Sequence, residues 1–111
     1  MSKLGDVTLH GTSLSYPFEI YSRGSEFDAV GAVYAFLRRM ILPNGNVIYP
    51  EILCTGQTDS LKDSISNHEK WLCVSRNGGN CIGFHRNDSE KSRLAIEADL
   101  AASNSTRCNS S

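Results

Sequence analysis

Apolar and polar residues alternate from Ser13 to Tyr21, with Leu14, Tyr16, Phe18 and Ile20 on one side. A period of two marks a half-buried strand. Pro17 lies inside this run and has no backbone N–H to donate, so the strand is expected at a sheet edge. Gly24, Ser25 and Asp28 end the pattern and signal a turn. The next run, Ala29 to Met40, carries Val30, Val33, Tyr34, Phe36 and Leu37, residue types that favour strands. Pro43-Asn44-Gly45-Asn46 then reads as a tight turn, because Asn and Gly tolerate positive φ, and Val47 to Thr55 reads as a returning strand. Two apolar runs around an Asn-Gly turn predict an antiparallel hairpin.

From Asp59 the period lengthens. Leu61, Ile65, His68 or Glu69, and Leu72 recur every three to four residues, which predicts one helix with Asp59 or Ser60 at its cap. Trp71 on this helix is expected in the core. Asn77-Gly78-Gly79 suits a left-handed helix end. Cys81 to His85 is a further short strand. Asp88 is placed to cap a last helix, whose apolar face holds Leu94, Ala95, Ile96, Ala98, Leu100 and Ala101. After Ala102 the chain turns to Ser, Asn and Thr. The order of elements predicts an α+β domain, a small antiparallel or mixed sheet flanked by helices. Its expected organisation is a strand extension over 1–28, the main domain over 29–109 and a flexible tail over 103–111.

Composition narrows the picture. A chain of 111 residues suits one domain, and 40% apolar content supports a core, against a disordered chain. The formal net charge of −1 supplies little overall attraction to nucleic-acid phosphates. Arg38 with Arg39, and Arg86 with Arg93, are the pairs around which a local basic face could form, although such residues more often cover a solvated surface. No stretch approaches the ~18 apolar residues of a membrane span, and Met1 to Thr12 holds no apolar signal core. The expected setting is therefore cytoplasmic, with Cys54, Cys73, Cys81 and Cys108 as reduced thiols. Cys73, Cys81 and His85 match no zinc-ligand spacing.

Four short motifs occur in an informative order. Gly31-Ala32-Val33-Tyr34 ends in a tyrosine, and Leu53-Cys54-Thr55-Gly56-Gln57-Thr58 follows across the hairpin. Ser60-Leu61 leads to Ser64 and His68, and Glu97 precedes Asn109 by twelve residues. Over Gly31 to Asn109 this order resembles the GIY-YIG nuclease superfamily. There, tyrosines of two neighbouring strands face a cleft beside a helix. One tyrosine helps activate the attacking water, a helix Arg stabilises charge on the phosphate, and a Glu holds a divalent cation.

The resemblance implies roles residue by residue. Tyr34 falls on the water-activating tyrosine, His68 on the helix histidine and Glu97 on the metal-binding glutamate. Gly56 matches the second-motif glycine and Asn109 the C-terminal asparagine, both in the cleft. Each also has an ordinary alternative: Tyr34 as a packed strand tyrosine, His68 as a polar helix residue, Glu97 as an exposed partner of Arg93. Two positions depart from the family. Cys54 replaces the second tyrosine, and Ser64 replaces the arginine with a short neutral group that cannot grip phosphate. Lys62 points to another helix face, while Arg38 and Arg86 could reach in only from the sheet. Cys54 as a nucleophile would need a depressed pKa and a neighbouring base.

The resulting expectation is a weak or inactive nuclease that acts as a binding or interaction module for DNA or a protein. The alternative is an atypical DNA endonuclease using Tyr34, His68 and Glu97 with Mg²⁺ or Mn²⁺ and a substitute cation.

Overall fold

In the computed structural model, which describes residues 3–66 and 68–109, five strands form one antiparallel sheet in the order β1-β2-β5-β3-β4. The strands are β1 (Lys3–His10), β2 (Ser15–Ser22), β3 (Ala32–Ile41), β4 (Val47–Thr58) and β5 (Cys81–Arg86). The helices are α1 (Leu61–Ser66), α2 (Trp71–Arg76) and α3 (Glu90–Ser103). The α+β class and the expected hairpin, now β3 and β4, are both present, with Gly45 at the turn in the left-handed region at φ 88°.

β3 is paired on both sides, and every residue from Ala32 to Leu37 is buried. Such a strand reads as a continuous apolar run, because both of its faces meet a packed layer. Ala32, Tyr34 and Phe36 join a core with Leu61, Ile65, Val74 and Cys108 on the side of α1 and α2. Val33, Ala35 and Leu37 join a second core with Phe18, Ile20, Ile96 and Leu100 on the side of α3. Gly83 of β5 lets the second core close: a Cβ there would lie 2.8 Å from Ile20 Cδ1 and 3.2 Å from Leu37 Cδ1.

Several expectations are corrected. β1 pairs with β2 along nearly its whole length, although its sequence drew no strand assignment. β2 is consequently internal and not at an edge. Pro17 fits because β5 pairs only with Glu19–Ser22, so the missing N–H falls beyond the second ladder. The single helix expected after Asp59 is two short ones separated by a turn at 69–70. Trp71 bridges them, its Nε1–H donating to Ile65 O at 2.9 Å. Trp71 also packs against the first core as expected, although only partly buried. Ser89, not Asp88, caps α3 by accepting from the Ser92 N–H at 3.2 Å. Gly78 takes the left-handed position after α2, at φ 82°.

The C-terminal segment is docked over its described part. Cys108 is 1% exposed and joined to Cys73 by a disulfide across 35 residues, which corrects the expectation of four reduced thiols. Cys54 and Cys81 remain free and buried. The Cys108 N–H donates to Leu53 O at 2.8 Å, so the segment covers part of the open edge of β4.

Candidate active-site cleft

β4 is one of the two edge strands, and layers from both faces of the sheet can reach around it. A cleft of about 300 Å³ lies there, lined by Tyr34 from β3, Cys54 to Gln57 from β4, His68 to Lys70 from the α1–α2 turn, Glu97 from α3 and Asn109 from the C-terminal segment. Tyr34, His68, Glu97, Gly56, Asn109 and Cys54 thus share one cleft, although 75 positions separate Tyr34 from Asn109. Ser64 is not among its lining residues. Its hydroxyl donates to Thr58 Oγ1 at 2.6 Å.

Tyr34 and Gly56 are direct cross-strand partners. The tyrosine ring lies over the glycine so closely that any Cβ at position 56 would collide with the phenol carbon and oxygen. The space left by the missing side chain at Gly56 is therefore taken by Tyr34 itself. Its hydroxyl is 2.7 Å from His68 Nε2. The imidazole stands edge-on to Phe36, with ring centroids 4.8 Å apart.

The tautomer of His68 follows from its other nitrogen. Lys70 N–H points at Nδ1 across 3.1 Å, and a backbone N–H can only donate. Nδ1 is therefore the acceptor, the neutral ring carries its proton on Nε2, and that proton is donated to the Tyr34 oxygen. Burial lowers the His68 pKa, and so does the Lys70 charge, while Glu69 opposes them; the neutral form is favoured. Tyr34 keeps its own proton free to turn into the cleft. Burial, helped by the neighbouring Cys54, Glu97 and Glu69, raises the Tyr34 pKa well above its ordinary value, so the resting group is a phenol.

Cys54 is 2% exposed, and burial pushes its thiol up to about 11 against the lowering effect of Lys70. A thiol protonated at neutral pH is no nucleophile. Cys54 fills the core beneath the cleft.

Glu97 is half-buried, and that burial raises its pKa. The pairing with Arg93 allowed by their spacing does not form. Arg93 is 3% exposed and donates instead to Gln57 Oε1 at 3.0 Å and Asn87 O at 2.9 Å. Glu97 makes no ion pair among the described residues. Asn109 is fully engaged with β4: its Oδ1 accepts from the Thr55 N–H and its Nδ2 donates to Thr55 Oγ1, both at 2.9 Å. It holds the strand edge that forms one wall.

Glu69 and Glu97 are the two carboxylates lining the cleft. Among the described residues no group of three or more His, Cys, Asp or Glu side chains gathers as a metal cluster. One or two carboxylates completed by water and phosphate oxygens is the arrangement Mg²⁺ accepts, and Glu97 and Glu69 are the carboxylates this cleft offers.

Arg38 and Arg86 do not reach this cleft. Arg38 lies 3.9 Å from Glu51, beyond the Leu37–Cys81 end of the β3–β5 ladder, and Arg86 pairs with Ala32 at the other end. Arg93 is buried, so Arg86 and Arg93 form no exposed basic pair. The cation that lines the cleft is Lys70, which lies outside the four motifs. In an unbroken helix, position 70 would lie about 200° around from His68. The turn between α1 and α2 brings both to the same cleft, and the polar run His68-Glu69-Lys70 was the available signal. No family model matches the chain, and neither a curated protein nor a solved structure does.

Proposed function

We propose that this chain is a GIY-YIG-type domain whose cleft holds a phosphodiester of DNA beside a divalent cation, and that it binds more effectively than it cuts. The observation that carries this reading is the convergence of Tyr34, His68, Glu97 and Asn109 on one cleft, in the order the family uses. Tyr34, oriented by His68, would position a water, and Glu97 would hold Mg²⁺ or Mn²⁺ to polarise the phosphate. The impairment follows from Cys54 and Ser64. Among the described residues no guanidinium lines the cleft, and loss of one preorganised charge donor costs about two to three powers of ten in rate.

The test is nicking of supercoiled plasmid together with duplex binding, with and without Mn²⁺. Binding with slow or undetectable nicking is expected. Robust metal-dependent nicking that Glu97→Ala abolishes would overturn the binding role in favour of an active endonuclease. The Cys73–Cys108 bond bears on the compartment. Disulfides persist in oxidising surroundings, which favours such a setting over the cytoplasm. No helix among the described residues is long and apolar enough to cross a membrane.

A further inference from the structure

We propose that Lys70 is the phosphate-binding cation of this cleft, standing in for the absent helix arginine from a different place in the chain. The inference rests on the phosphodiester reading above and adds the group that recognises the anion.

Arg93 is buried on Gln57 and Asn87, Arg107 contacts Glu51 at 2.6 Å and Asn77 at 2.8 Å, and Arg38 lies beside Glu51. None of the three lines the cleft. Arg23 sits over the Trp71 ring at 4.8 Å, on another groove. Lys70 is the cation that lines the cleft, half-buried at the residue preceding α2. Although Glu69 and Glu97 line the same space, Lys70 makes no ion pair among the described residues. Its charge nevertheless reaches the cleft, because it lowers the pKa of both His68 and Cys54.

The backbone of Lys70 is fixed by the same contact that sets the histidine. Its N–H donates to His68 Nδ1, so the residue that orients the Tyr34–His68 pair also carries the cation. Ser64 does not line the cleft, and its hydroxyl is bonded to Thr58. A lysine ammonium offers three donors on a flexible stem and acts as a point charge, not as a fork. It would bind one non-bridging phosphate oxygen, opposite the cation held by Glu97. The two carboxylates repel a bare anion, so phosphate should enter together with the metal.

The experiment compares wild type, Lys70→Gln, Lys70→Arg and Glu97→Gln by calorimetry, with Mn²⁺ alone and then with a 12-base-pair duplex in Mn²⁺. Lys70→Gln should weaken duplex binding roughly ten- to a hundredfold, the range for one hydrogen bond to a charged group. It should also lower the slope of log affinity against log salt by about one, as expected for one lost phosphate contact. Its Mn²⁺ affinity should be retained, and Lys70→Arg should recover most of the duplex binding. Wild-type duplex affinity and salt slope in Lys70→Gln would overturn the role of Lys70, and the phosphodiester reading would survive if Glu97→Gln still lost both ligands. Absence of Mn²⁺ and duplex binding in the wild type would overturn both.

Discussion

Gly56 and Tyr34 constrain each other at a point where one methyl group decides the geometry. The phenol occupies the space a Cβ would take, and its oxygen meets His68 Nε2. Gly56→Ala should push the ring off the strand, break the Tyr34–His68 bond and cost about 1–3 kcal/mol, as overpacking usually does. Urea unfolding gives the loss of stability, and the His68 ring nitrogen shifts report the broken bond. Titration of His68 gives a second outcome. Its folded pKa lies below the unfolded value, so acidification first protonates the unfolded chain and shifts the balance toward it. Stability should therefore fall as pH drops below about 6.5, the ordinary histidine value, until the folded pKa is passed. His68→Gln should flatten that part of the profile in urea titrations at pH 7.5 and 5.5.

At the scale of elements, the cleft depends on the C-terminal segment being fastened. The Cys73–Cys108 bond and the Cys108–Leu53 hydrogen bond deliver Asn109 to the open edge of β4. Replacing both cysteines with serine should cost about 2–4 kcal/mol, the usual range for a disulfide. The Thr55 amide should then exchange faster with solvent, which hydrogen-exchange NMR would detect. The opposite fastening is Asp99 on α3, which accepts from the Thr12 and Tyr16 hydroxyls and the Ser13 and Leu14 N–H groups. These bonds hold its pKa below the usual carboxylate range. Much of this architecture was legible: the β3–β4 hairpin announced itself through its turn, and α3 through its apolar face. β1 was hidden because it is a largely exposed edge strand whose inward residues are Gly5, Val7 and Leu9, too few to stand out beside Lys3 and Asp6. The break between α1 and α2 was hidden because Leu61, Ile65 and Leu72 keep a helical spacing across it.

Across the whole molecule, the sheet curls until its outermost strands, β1 and β4, line a common groove of about 700 Å³. That groove has its own His10, Tyr49, Glu51 and Arg107, but there Arg107 is paired with Glu51 at 2.6 Å, whereas Lys70 of the smaller cleft makes no ion pair among the described residues. The sequence order of Tyr34, His68, Glu97 and Asn109 made the cleft foreseeable in outline. Lys70 and the disulfide were not foreseeable, since each depends on how separated segments turn toward one another. With a net charge of −1, long-range attraction to DNA is weak, so the proposed recognition would be concentrated in the cleft. Paramagnetic broadening by Mn²⁺ in an amide NMR spectrum tests that claim most directly. Saturable broadening centred on Thr55, Gln57, His68, Lys70 and Glu97, lost in Glu97→Gln, is the predicted result. Uniform weak broadening over the surface, unchanged by Glu97→Gln, would contradict it.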